Sequence, residues 1–142
     1  MACKDLHGVI NDRPVYVRQW PASTALENLS EALALFGNQL AFFIDGSYQF
    51  GDILAVMHRS DPKALTAVIR KFVIAASVDG KSVQETMFNA EYNGDLYRIF
   101  RTFAFVCEVN YRDFFAEGAP PPEPDQSEEL EQEDQLEKKL TP

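Results

Sequence analysis

Apolar residues recur at three- and four-residue steps along most of the chain, a spacing that predicts a succession of amphipathic helices. The densest stretch runs from Phe88 to Phe115, and the rest is expected to pack against it. After the turn Tyr92-Asn93-Gly94, Asp95 is a helix N-cap candidate. Leu96, Ile99, Phe100, Phe103, Val106 and Cys107 then define a wide apolar stripe, with Arg98, Arg101, Thr102 and Glu108 on much of the remaining circumference. Phe103, Phe105, Cys107, Val109 and Tyr111 also alternate as a half-buried strand would, but the cap and the length favour the helix. A break is expected at Asn110, so that Phe114 and Phe115 cap the bundle or lie on its surface.

Earlier elements follow from similar signals. Asn11-Asp12-Arg13-Pro14 is a turn cluster, Val15 to Trp20 reads as a short strand stopped by Pro21, and Gly8-Val9-Ile10 is its only nearby pairing candidate. Thr24 with Glu27 forms a capping box, with Ser23 as a competing cap, for a helix whose face is Leu26, Leu29, Leu33 and Phe36 and whose stop is Gly37. Leu40 to Ile44 is a buried helix or a core strand, ended by Asp45-Gly46. Phe50, Ile53, Leu54 and Met57 give another helical face, and Ser60-Asp61-Pro62 opens a helix with Leu65, Val68, Ile69, Phe72, Val73 and Ala76 inward. Val78-Asp79-Gly80 turns the chain, and residues 81–94 form a short irregular or helical connection.

The expected fold is therefore mainly α: a small helical bundle with a short N-terminal strand or hairpin and a disordered acidic C-terminal tail. Two segments are predicted, a helical domain over 1–116 and a flexible tail over 117–142 that is Pro-rich, then acidic. With 142 residues, 46% of them hydrophobic, the chain can fill one core. Residues 1–116 carry thirteen acidic and eleven basic side chains, a net of −2, whereas 117–142 carry nine and two, a net of −7. A near-neutral body without a basic stripe disfavours nucleic-acid binding. No stretch suggests export or membrane insertion.

Candidate chemistry is sparse. His7 and His58 each lack a second ligand at helical or hairpin spacing, Cys3 and Cys107 offer no paired-ligand pattern, and the glycines form no phosphate-cradling loop, so no metal or cofactor is expected. Asp45 and Asp52 could share a helix face, but Asp45-Gly46 is more simply a turn, and nothing in the sequence places Asp52, His58 and Cys107 together. No catalytic residue is assigned. The conspicuous feature is the aromatic load of Phe42, Phe43, Phe105, Tyr111, Phe114 and Phe115, which either fills the core or leaves an exposed apolar groove that marks a partner site.

Two motifs resemble a known family, the small tail assembly chaperones of long-tailed bacteriophages. The first runs from Val17-Arg-Gln-Trp-Pro to Leu29 and on to Leu35-Phe36-Gly37; the second comprises Phe88-Asn-Ala-Glu-Tyr92 and Leu96 through Val106-Cys-Glu-Val-Asn-Tyr-Arg-Asp-Phe-Phe115. The likeness spans about residues 15–115 and leaves the acidic tail unaccounted for. It implies a non-enzymatic protein of the host bacterial cytoplasm that binds the long helical tape measure protein, keeps it soluble, helps tail tube subunits assemble around it, and is absent from the mature virion. Phe105, Tyr111, Phe114 and Phe115 are then expected to border the partner-binding groove, with self-association left open. Other classes that share its size and charge are an acidic nucleic-acid mimic inhibiting a host defence protein and a secretion-type effector chaperone.

Overall fold

A computed structural model describes residues 5–118. The chain divides into two units, Met1–Arg112 and Asp113–Pro142. Of the Pro-rich, then acidic tail expected over 117–142, residues 119–142 lie outside the described residues.

The first unit opens with a hairpin, β1 (Asp5–Ile10) and β2 (Arg13–Arg18), in antiparallel register with Leu6 opposite Val17, Gly8 opposite Val15 and Ile10 opposite Arg13. Asn11 and Asp12 make the turn with φ of 52° and 64°, the left-handed region that a two-residue hairpin requires and that these side chains tolerate best after glycine. A third strand, β3 (Ala76–Val78), pairs antiparallel with β2, giving the order β1-β2-β3. The sequence reading assigned Ala76 to a helix face. It is instead a buried strand residue opposite Val17, and the Asp79-Gly80 turn follows it, with φ of 52° and 77°.

Among the described residues, five helices precede the last. α1 (Ala22–Phe36) begins directly behind Pro21, whose carbonyl accepts Ala25 N–H at 2.9 Å. The Thr24–Glu27 capping box therefore does not form, because both residues already lie inside the helix. Gly37 stops α1 as expected, with φ of 56°. α2 (Leu40–Asp45) resolves the helix-or-strand ambiguity in favour of helix and ends at Gly46 in the left-handed conformation. α3 (Phe50–Arg59) starts where the Asp52 carboxylate accepts Gln49 N–H at 2.8 Å. α4 (Pro62–Val73) has the predicted Asp61 cap, which accepts Ala64 N–H at 2.9 Å. After β3 comes a short α5 (Phe88–Tyr92).

α6 (Leu96–Gly118) runs unbroken through Asn110. The expected break fails for a physical reason: the Asn110 side chain donates to Val106 carbonyl at 3.0 Å and accepts Trp20 N–H at 2.8 Å, so it ties the incoming chain to the helix instead of turning the backbone. Phe103 is the hub of the core. Its ring lies 4.8 Å from Phe36 on α1, 5.8 Å from Phe43 on α2 and 4.8 Å from Phe72 on α4. Those contacts explain why short helices that could not stand alone become one packed unit.

Arg98 and Thr102, expected on the polar face of α6, are both buried. Thr102 turns its hydroxyl onto Arg98 carbonyl at 2.8 Å. Arg98 ion-pairs with Glu91, donates to the Glu91 carbonyl at 3.0 Å and lies over the Tyr92 ring at 4.4 Å. The same Glu91 carboxylate meets Arg13 of β2 at 2.8 Å, and Arg13 also binds Asp79 at 2.7 Å. One charged chain thus links the hairpin, the β3 turn, α5 and α6, and satisfies a guanidinium that burial would otherwise penalise.

Candidate functional site

Helices α1 and α3 bury less of their apolar faces than their spacing predicts. On α3 the core takes Ile53 and Val56. That rotation leaves Phe50, Leu54 and Met57 exposed at 58%, 49% and 48%, on positions i, i+4 and i+7 of one face. The stripe is about 10 Å long at the helical rise. Tyr97 of α6, 42% exposed, extends it, its ring 6.4 Å from that of Phe50 and inclined 22° to it. Arg101 lies over the Tyr97 ring, 4.8 Å from its centroid, and donates to the Asn11 side chain of the hairpin turn.

 The Arg101 guanidinium thus borders the stripe with a positive charge stacked on an aromatic ring. Behind this surface, Tyr48 stacks on the core ring Phe43 at 4.7 Å, and burial raises the pKa of its phenol.

α1 shows the same rotation. Leu29, Ala32 and Phe36 are buried, whereas Leu26 and Leu33, expected inward, face solvent. Phe42 of α2 is also exposed.

The four aromatic residues expected at a groove have different surroundings. Phe105 is half-buried, with its ring over β1 at Gly8, where an added Cβ would lie 2.9 Å from the Phe105 Cζ. Tyr111 is 2% exposed and donates its hydroxyl to the Ala25 carbonyl at 2.7 Å, with Trp20 and Phe72 as ring neighbours. Burial raises its phenol pKa far above the ordinary range, and neighbouring Cys107 adds to the shift. In the second unit Phe114 is exposed and Phe115 half-buried, their rings edge to face at 5.5 Å.

The polar residues considered for chemistry are held by local structure. Asp52 caps α3 and accepts from Gln39 at 3.3 Å. Asp45 accepts Ser47 N–H at 2.9 Å within its turn, His58 is exposed in the last turn of α3, and Cys107 is buried, its thiol pKa pushed well up by desolvation. Among the described residues no group of three His, Cys, Asp or Glu side chains could hold a metal ion, and no helix is long and apolar enough to cross a membrane. A hollow of about 480 Å³ on the outer face of the sheet is lined by His7, Gly8, Pro14, Val15, Tyr16, Ser77 and Gly80.

The α3 stripe was missed in the sequence although its signal was present. Phe50, Ile53, Leu54, Val56 and Met57 occupy more of the circumference than one buried face needs, and the surplus had to lie outside. Comparison with curated proteins and with solved structures gave no match. The family model described as phage tail assembly chaperone protein, TAC, matches residues 11–121, which include the second strand of the hairpin, helices α1 to α6 and the α3 stripe. The chain belongs to the phage tail assembly chaperone family.

Proposed function

We propose that this chaperone binds the tape measure protein, keeps it soluble, and promotes assembly of the tail tube around it. The observation that carries the reading is the exposed stripe Phe50, Leu54 and Met57 with Tyr97 beside it. A row at i, i+4 and i+7 matches the apolar face of an amphipathic helix, the form expected of a long tape measure before the tube encloses it. An exposed aromatic and methionine surface on a packed scaffold is typical of partner recognition, and Met57 can adapt to successive segments of a long partner. The role is non-enzymatic, exercised in the host bacterial cytoplasm, and the protein is absent from the mature virion.

Phe114 and Phe115 supply a further aromatic contact to the same partner. Phe105 and Tyr111 serve binding from beneath the surface, Phe105 by fixing the hairpin and Tyr111 by fixing the start of α1. The experiment is co-expression of the tape measure protein with Leu54→Asp/Met57→Asp and with Phe114→Ser/Phe115→Ser variants. Each pair is expected to lose the soluble partner while keeping its far-UV circular dichroism. A Leu54→Asp/Met57→Asp variant that folds and still holds the partner would rule out the α3 stripe.

A further inference from the structure

Strand β1 has one hydrogen-bonded neighbour among the described residues, β2. Backbone alternation fixes which of its groups face outward. Asp79 N–H donates to the Pro14 carbonyl at 2.9 Å, so Pro14 and, two residues on, Tyr16 address β3. Arg13, Val15 and Val17 therefore address β1, where their partners are Ile10, Gly8 and Leu6. The two-residue turn at Asn11 and Asp12 agrees, because such a turn closes on a hydrogen-bonded pair, here Ile10 with Arg13. The N–H and C=O groups of His7 and Val9 consequently point away from the sheet.

Natural edge strands are commonly blunted by proline, lysine, a bulge or an inward-pointing charge. From Leu6 to Ile10, β1 keeps an unbroken register and contains none of these. It also exposes apolar side chains on both faces, Leu6 at 40% on the inner face and Val9 at 71% on the outer. A strand added at this edge would cover both.

We propose that a second copy of this chain pairs with the edge, β1 against β1 and antiparallel, about a two-fold axis at Gly8. In that register His7 lies opposite Val9 of the partner subunit and Val9 opposite the partner subunit's His7, so the outward N–H and C=O groups of both residues are satisfied. Leu6 lies opposite Ile10 of the partner subunit on the inner face, and Val9 gains an imidazole neighbour on the outer. Gly8 meets its own symmetry mate at a non-hydrogen-bonded position, where opposed Cα atoms approach to about 4.5 Å. A slip of one residue would turn the inner face of one copy to the outer face of the other. The occupant is a second copy because this edge is complementary to itself, in its hydrogen bonds and in both exposed side chains.

Sedimentation velocity over a range of concentrations tests the pairing on the full chain and on Val9→Pro and Val9→Lys variants. Proline at position 9 removes an outward N–H while leaving the bonds to β2, and lysine places a charge beside its symmetry mate. The native chain is expected to sediment as a dimer that dissociates on dilution. Each variant should raise the dissociation constant at least about tenfold with unchanged far-UV circular dichroism. If Val9→Pro loses secondary structure, Val9→Lys alone decides. A native chain that stays monomeric at every concentration, or folded variants that dimerise as tightly as the native chain, would overturn the proposal. So would a monomeric native chain whose edge variants alone fail to hold the tape measure protein, since the edge would then belong to that partner.

Discussion

Gly8 and Phe105 are in contact across the sheet–helix interface: the ring occupies the space where any other residue at position 8 would carry its Cβ. A β-carbon there would come within 2.9 Å of Cζ, closer than packed carbon atoms tolerate. The contact holds the hairpin against α6 and uses one of the aromatic rings that the sequence offered to a partner. Gly8→Ala should therefore destabilise the fold by about 1–2 kcal/mol, the range for mild overpacking. Urea unfolding would measure this, and the penalty should shrink in a Phe105→Ala background, where the ring is gone. Equal penalties in both backgrounds would show that the contact carries no strain.

Glu91 should matter more than any surface ion pair. Its carboxylate serves buried Arg98 and Arg13 together, so Glu91→Ala leaves a guanidinium without its principal counter-ion at a cost of about 2–4 kcal/mol. Glu31→Ala breaks the exposed pair with Lys71, whose side chains are 47% and 46% exposed, and should cost less than about 1 kcal/mol. Denaturant midpoints of the two variants would separate these cases, and similar losses would show that the Glu91 cluster is not a buried network.

Stability should fall in alkali. Burial raises the folded-state pKa of Cys107, Tyr92 and Tyr111 above ordinary values of 9.0 for the thiol and 10.0 for the phenols. Above those values the unfolded chain has released protons that the folded chain still holds, so stability drops as pH rises; below them the contribution is fully present. Thermal melts should be flat with respect to these groups through neutral pH and decline from about pH 9 upward. Tyr111→Phe should lower stability at pH 7 by about 1 kcal/mol, through loss of the hydroxyl bond to Ala25 carbonyl, and should flatten the alkaline decline. An unchanged decline would place its origin in other groups.

Asn110→Ala tests the tether that replaced the expected helix break. The substitution raises helix propensity yet removes the acceptor of Trp20 N–H. Net destabilisation of about 1 kcal/mol, with loss of hydrogen-exchange protection at Trp20, is expected. Stabilisation would show that propensity outweighs the bond.

Local chemistry made much of the fold legible. The Asn11-Asp12 turn, the Asp61 cap and the stops at Gly37 and Gly46 each rest on side chains or glycines with a short-range conformational preference, and each stands where the sequence placed it. Residues whose role depends on distant partners were harder to read. Ala76 joins a three-residue strand only because β2 is beside it, and Arg98 is buried only because Glu91 reaches it. Helical periodicity identified α1 and α3 but not their rotation: with apolar residues over more than one face, tertiary packing decided which were covered, on α1 through Phe36 against Phe103. The exposed stripe lies in that remainder. Of the aromatic residues expected at a groove, Tyr111 is buried with its hydroxyl on the Ala25 carbonyl, 86 residues away in sequence, a pairing that no local pattern announces.

The most direct test of the account is co-expression of the native chain with the tape measure protein, followed by size exclusion of the soluble fraction. Co-elution of the two, with the partner insoluble when expressed alone, is the predicted result. A partner that remains insoluble while this protein elutes without it would contradict the account.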